Sequence, residues 1–505
     1  MLESFLCGRW VRGEGVGTPI HDALDGSVVS SASTAGLDLI GALDHARSVG
    51  GPTLRAQTFA QRGAWLEALA KSIFAGRDAL VDASRHGGTT RGDAKFDIDG
   101  AAGTLAWYGA LGRSLGDRTV LLDGPPEPVL RSARFAGQHI FTPRLGAAVH
   151  INAFNFPAWG LCEKAAVAWL AGVPVVAKPA TATAPLAVAL VRRWLDEGLL
   201  PEGVLQLVVG NVGDLLDGVG AQDSVAFTGS AATAEKLRAH AAVVVRGARL
   251  NVEADSLNVA ILGPDADEDT TRMFALDCVR DMTQKAGQKC TAIRRILVPQ
   301  DRMDDVVEAL VERLAAAAVG DPADKGTTTG PVASPAQREA VVSGTARLVA
   351  AGRVVWRGEA PEGGCFVAPT LLAIDGGVGA PVVHDEEVFG PVASLLPYDG
   401  SAKEAVAIAA RGGGGLVASL YSDELAWARE VILGLAPWHG RIHWGSRKVA
   451  DQSPGPGTVL PNLVHGGPGR AGGGEELGGE RGLRFYLQRT AVMGDRAMME
   501  RMFAS

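Results

Sequence analysis

The chain has 505 residues, 48 Lys and Arg against 56 Asp and Glu, and a formal net charge of −8. At about 150 residues per domain this length suggests two to four domains and a core large enough to need no disulfide staples. With 47% apolar and 21% charged residues the composition is globular rather than disordered. The mild acidity and the lack of a basic block argue against nucleic acid as a partner.

The first residues, MLESFLCGRW, lack the basic-then-apolar pattern of a secretory signal. From 36 to 85 apolar residues recur every three or four positions, which predicts helices. Between about 145 and 263 short apolar strands alternate with helical stretches: AAVHI, VPVVA before Lys178, LQLVV, SVAF and NVAIL. This α/β alternation predicts a parallel sheet with crossover helices, which binds ligands at the carboxyl ends of its strands. The longest apolar run, 13 residues between Lys164 and Lys178, contains Gly172 and Pro174 and is too short to cross a membrane. A second αβ series follows from about 270 to 445, with the helix MDDVVEALVERLAAAAV and the strands RRILVP, RVVWRG and LVASLYS. Soft boundaries fall near 250 and 450. A Gly-rich stretch from His465 to Gly482 comes next, and then FYLQRTAVMG, which alternates like a strand.

The five cysteines, Cys7, Cys162, Cys278, Cys290 and Cys365, form no CxxC pair. Neither a disulfide framework nor a metal site is expected, and a reducing cytoplasm fits. No P-loop and no HExxH is present. Gly467 to Gly472 fits GxGxxG, but it contains Pro468 and lies in a loop near the end of the chain, not in the strand–turn–helix that a dinucleotide fingerprint requires. His384, His443 and His465 show no ligand spacing and are assigned no role.

Several positions carry chemistry, and each has a purely structural alternative. Asn155 follows the strand AAVHI, either as a turn residue or as an amide donor to an oxyanion. Lys178 ends a strand, where it can reach ribose or phosphate. Thr228, Gly229 and Ser230 join a strand to a helix: a plain N-cap, or a phosphate site at the helix start. Glu253 ends a strand, as a solvated charge or a general base. Cys290 follows a Gly-Gln turn and adjoins Lys289, as a small apolar residue or as a thiolate favoured by the neighbouring cation.

Their order is more specific than any one of them. Asn-Phe-Pro, Lys-Pro-Ala-Thr, Phe-Thr-Gly-Ser, the strand-end Glu, Gly-Gln-x-Cys and Glu387-Val-Phe389-Gly-Pro occur in one chain. This resembles the aldehyde dehydrogenase superfamily over essentially the whole length. The resemblance implies a Rossmann-like cofactor domain (1–127 and 144–250), an α/β catalytic domain (251–450) and a small β oligomerisation segment (128–143 with 483–495) that pairs copies into a homodimer or higher oligomer. It implies Cys290 as nucleophile, Glu253 as base for hydrolysis, and Asn155 as oxyanion donor. It places the coenzyme on Lys178, Thr181, Gly210, Thr228, Gly229, Ser230, Glu387 and Phe389. NAD-preferring relatives often carry Glu three residues after the Lys; here Thr181 stands there, so a 2′-phosphate meets no like charge and NADP is expected ahead of NAD. HINAFNFPAWG, RLNVEADSLN and HGGPGRAGGGEELGG resemble one branch, which oxidises CoA-thioester semialdehydes from aromatic acid breakdown. The expected substrate is 3,4-didehydroadipyl-CoA semialdehyde, with 3-oxo-5,6-didehydrosuberyl-CoA semialdehyde or a general aldehyde as alternatives. The chain is expected to end without the hydratase module of some relatives. Ala254-Asp-Ser-Leu-Asn258 replaces the Leu-Gly-Gly-Lys that usually follows the Glu, which leaves the shape of that loop open.

Overall fold

The computed structural model describes residues 1–474 and 477–503. Glu475 and Glu476 of the Gly-rich motif, and Ser505, lie outside the described residues.

Two seven-stranded sheets dominate. In the first, Arg249–Glu253, Ser224–Thr228, Ala148–Ile151, Val175–Lys178 and Leu205–Leu207 lie side by side and parallel. Ser4–Leu6 and Arg9–Val11 extend it antiparallel at one edge. The three central strands, Ser224–Thr228, Ala148–Ile151 and Val175–Lys178, are short, Val- and Ala-rich and almost wholly buried, as a parallel sheet covered by helices requires. One large apolar cluster fills one face and a second fills the other.

The second sheet runs Arg353–Arg357, Thr370–Ala373, Val392–Tyr398, Arg295–Pro299, Val259–Leu262, Gly415–Tyr421 and His439–Gly445. All its neighbours are parallel except the first pair. It too is packed on both faces.

Three sequence expectations change. NVAIL continues the first alternating series in sequence, yet Val259–Leu262 pairs with Arg295–Pro299 and Gly415–Tyr421 in the second sheet. Arg249–Glu253 remains in the first sheet, so the passage between sheets lies between Glu253 and Val259 rather than at residue 250. Alternation reports a strand but not its partners. In FYLQRTAVMG, Phe485 and Tyr486 close a helix, Gly479–Tyr486, and only Leu487–Asp495 is strand. That strand pairs antiparallel with Phe135–Pro143, which pairs with Leu121–Pro128. Among the described residues no helix is long and apolar enough to cross a membrane.

Candidate active site

The parallel register sets the site. Ile151 is level with Lys178 and Phe227, and Thr228 is level with Glu253. The carboxyl ends of four strands therefore form one row that faces the second sheet. Each predicted residue on these strands or on the loops leaving them reaches this edge.

Cys290 arrives on a strained turn that leads into the second sheet's strand Arg295–Pro299. Lys285 (φ 53°), Ala286 (φ 52°) and Gly287 (φ 69°) are consecutive left-handed residues. For the two non-glycines such a conformation costs about 1–3 kcal/mol each and persists only where the surroundings impose it. A Cβ on Gly287 would lie 2.2 Å from the Gly390 carbonyl oxygen, so the turn needs glycine there. Arg294 fastens this turn: its guanidinium donates to the carbonyls of Gly287, Lys289 and Gly390. The Asn258 amide donates to the carbonyls of Cys290 (2.7 Å) and Ala292 (2.9 Å).

Lys289 does not face the thiol. It is buried, with its ammonium 2.6 Å from Asp281 and 2.9 Å from the Gln284 amide oxygen. The expectation that Lys289 favours the Cys290 thiolate is therefore corrected: sequence adjacency placed the charge, but the side chain turns to a buried carboxylate. Burial first, then the carboxylates of Glu253 and Glu163, push the Cys290 thiol well above its ordinary range.

His465 stands between Cys290 and Glu253. Its Nε2 lies 3.6 Å from the Cys290 sulfur and 3.5 Å from Glu253 Oε1, and the three reactive atoms converge within 4.8 Å. Burial works to raise the Glu253 carboxyl, but hydrogen bonding to His465 and its charge, with Lys164 and Cys290 behind it, outweigh burial and hold it at about 2. Glu253 and Cys290 line one cavity with Phe156, Trp159, Glu163 and His465. Asn155 is buried and lines a neighbouring cavity with Phe154, Lys285 and Gln288. The loops 154–157 and 287–291 form the wall between the two spaces.

The remaining predicted residues fall into two groups. Lys178 is half-buried, and burial lowers its ammonium from the usual range; it makes no ion pair among the described residues. The Thr181 hydroxyl donates to the Gly210 carbonyl at 3.4 Å. Thr228 ends its strand with a buried hydroxyl that has no partner among the described residues, and Gly229 donates its N–H to the Glu253 carbonyl. Ser230 caps the helix Ala231–Arg238 through the Thr233 N–H. The first N–H of that helix, Ala231, is already taken by Asp255 at 3.0 Å. Glu387 and Phe389 form the other group. Glu387 accepts from the Ser256 N–H and from Arg294, and burial raises its carboxyl to about 7 against the opposing Arg294 charge. The Phe389 ring packs edge-on to Phe154 and under the Arg294 guanidinium.

Sequence reasoning missed His465, Arg294 and Asn258. Each lay inside a quoted motif, but nothing in its spacing showed that it would turn into the site.

A profile described as the Aldehyde dehydrogenase family matches residues 10–492. The chain belongs to this family. A relative from Aromatoleum evansii, 3,4-dehydroadipyl-CoA semialdehyde dehydrogenase, is 45% identical over 479 residues, covering 92% of this chain and 93% of its own. Among solved structures, an Escherichia coli NADP-dependent enzyme superposes with a TM-score of 0.85 at 25% identity, over 98% of both chains. PnpE in complex with nicotinamide adenine dinucleotide gives 0.85 at 25%, over 98% and 97%. In this aldehyde dehydrogenase the two seven-stranded sheets and the site between them are thus those of an oxidoreductase fold.

Proposed function

We propose that this aldehyde dehydrogenase oxidises a semialdehyde carrying a CoA thioester, of the 3,4-didehydroadipyl type, to the carboxylate with NADP in aromatic acid degradation. The observation that carries the reading is the 45% identity, nearly end to end, to an enzyme of that name. Cys290 is the nucleophile. Its sulfur attacks the aldehyde carbon, and Asn155 with the Cys290 N–H stabilises the oxyanion, a donor set of which each member is typically worth about 10²–10³ in rate. A bound nicotinamide supplies the hydride acceptor. Glu253, ionised at any pH well above 2, takes a proton from the water that releases the acyl group from sulfur.

The residues present fit such a coenzyme. The unpartnered buried hydroxyl of Thr228 and the Lys178 ammonium offer donors. Thr181 brings no carboxylate against a 2′-phosphate, while Glu387 and Phe389 are the residues assigned to the nicotinamide ribose and ring. Asp255 at the Ala231 N–H leaves the pyrophosphate less of that helix start than a free N-terminus offers.

The test is kcat/KM for the adipyl-type CoA semialdehyde, the suberyl-type homologue and the CoA-free semialdehyde, each with NADP and with NAD. The adipyl thioester with NADP should lead. Equal values with and without CoA would remove the CoA assignment, and equal values for the coenzymes would remove the NADP preference.

Copies of the chain pair through the three-stranded sheet, whose Leu487–Asp495 edge is largely exposed and free to add strands. Light scattering should report a dimer or a multiple of it; a monomer at working concentration would overturn this.

A further inference from the structure

We infer that His465 is the group that accepts the proton of the Cys290 thiol, with Glu253 holding the imidazolium that results. The inference rests on Cys290 being the nucleophile. It adds a catalytic base to a step that Lys289, the adjacent charge in the sequence, does not serve.

The geometry carries it. A single nitrogen, His465 Nε2, faces both the sulfur at 3.6 Å and Glu253 Oε1 at 3.5 Å. The other nitrogen, Nδ1, is buried without a partner among the described residues. The imidazole side chain is only 3% exposed, so it exchanges protons through Nε2 or not at all. With hydrogen on Nδ1, the Nε2 lone pair points to the thiol. A nucleophile, a base within hydrogen-bond reach and a third group beside the base is the arrangement that activates weak nucleophiles.

The charged and titratable neighbours are placed differently. Glu163 and Lys164 come from the helix Trp159–Leu170 and line the adjoining pocket with Glu253 and His465; Glu163 acts on the sulfur only as a charge across the cavity. Arg441 comes from the strand His439–Gly445 and gives its guanidinium to the carbonyls of Pro456 and Thr458; it is a cation and accepts nothing. Lys289 is held by Asp281. Glu253 faces the same imidazole nitrogen at 3.5 Å and serves the later step, in which water releases the acyl group. A neutral imidazole nitrogen within reach of the sulfur is a fitting general base for the thiol.

The step balances within the protein. The S–H bond breaks and an Nε2–H bond forms. The sulfur electron pair makes the bond to the carbonyl carbon, the carbonyl oxygen takes the negative charge, and the new imidazolium lies against the Glu253 carboxylate.

The probe is iodoacetamide, with neither substrate nor coenzyme present, and alkylation of Cys290 is followed from pH 5.5 to 10 by peptide mass spectrometry. Exposed Cys7 serves as the internal reference. In His465→Gln the Cys290 rate near pH 7 should fall at least about tenfold, toward the 10²–10⁴-fold typical of a lost general base. The deficit should narrow as pH rises toward 10, where hydroxide takes the thiol proton in place of the imidazole. A variant with an unchanged Cys290 profile overturns the inference. A second measurement needs no variant: wild-type alkylation near pH 7 should be about twofold slower in D₂O, and no slowing overturns the inference too. Expected alkylation with no oxidation of any CoA semialdehyde removes the proposed substrate and leaves His465 in place.

Discussion

Glu387 stands out among single residues because its charge and its burial disagree. The side chain is only 8% exposed, yet one Arg294 contact at 3.4 Å and one backbone N–H leave its carboxyl raised from 4.5 to about 7. A carboxyl whose folded value lies above its unfolded value binds more protons in the folded state. Stability from it is present below about pH 4.5 and is lost as pH rises toward 7. Glu253 has the opposite sign: held at about 2, it adds stability above 4.5 and loses it as pH falls toward 2. The two windows do not overlap, so they can be read apart. Glu387→Gln should flatten the fall in thermal stability between pH 4.5 and 7, an effect of order 3 kcal/mol at the upper end, and leave the acid limb below 4.5 unchanged. An unaltered slope above pH 4.5 would show that Glu387 is not the group responsible.

Among elements, the segment Ala254–Asn258 does more than end a strand. Ser256 receives Glu387 on its N–H and gives its hydroxyl to Asn258, while Leu416 and Val417 donate to both side chains. Asn258 then holds the Cys290 carbonyl. Base, nucleophile and the Glu387 loop are thus wired through five residues. Asn258→Ala would take the side-chain partner from two carbonyls, one N–H and the Ser256 hydroxyl, each worth about 1–3 kcal/mol when buried and unpaired. It should cost about 3 kcal/mol or more in chemical denaturation and lower kcat at least about tenfold. Stability equal to the parent would mean that the loop is held elsewhere. This wiring marks the limit of what the sequence displays. Strand ends carrying Lys178, Thr228 and Glu253 are legible because apolar runs stop there. Side chains that turn back onto their own backbone, such as Asn258 and Arg294, have no period to betray them. The helix Arg91–Leu115 is likewise silent: its Gly and Asp content is poor in intrinsic helix propensity. Its form comes from packing, with Gly109 and Gly112 set against Gly63 and Leu170.

At the scale of the whole molecule, the Gly-rich tail joins the two sheets and brings His465 between them. Ala254, just after the first sheet's strand Arg249–Glu253, donates to the Ala471 carbonyl, while Arg470 donates to Gly413, just before the second sheet's strand Gly415–Tyr421. The glycines are needed where backbones meet: a Cβ on Gly472 would lie 2.0 Å from the Val252 oxygen, and one on Gly414 would lie 2.0 Å from the Pro468 oxygen. The tightest approach is Gly440 in the strand His439–Gly445, where a Cβ would lie 1.4 Å from the Gly466 oxygen, one residue beyond His465. No side chain can give way there, because the clash is with backbone, so the tail itself must move. Gly440→Ala should therefore lower the melting temperature and reduce both turnover and the alkylation rate of Cys290, since displacing Gly466 moves the imidazole from the sulfur. Gly103→Ala is the matched control: that Cβ meets nothing within 4 Å in the middle of a helix, where Ala in place of Gly gains roughly 0.5–1 kcal/mol. If the two alanines behaved alike, the tail would be a passive cover; opposite signs in stability, with Cys290 reactivity lost only in Gly440→Ala, are what a tail that positions the base between the two sheets requires.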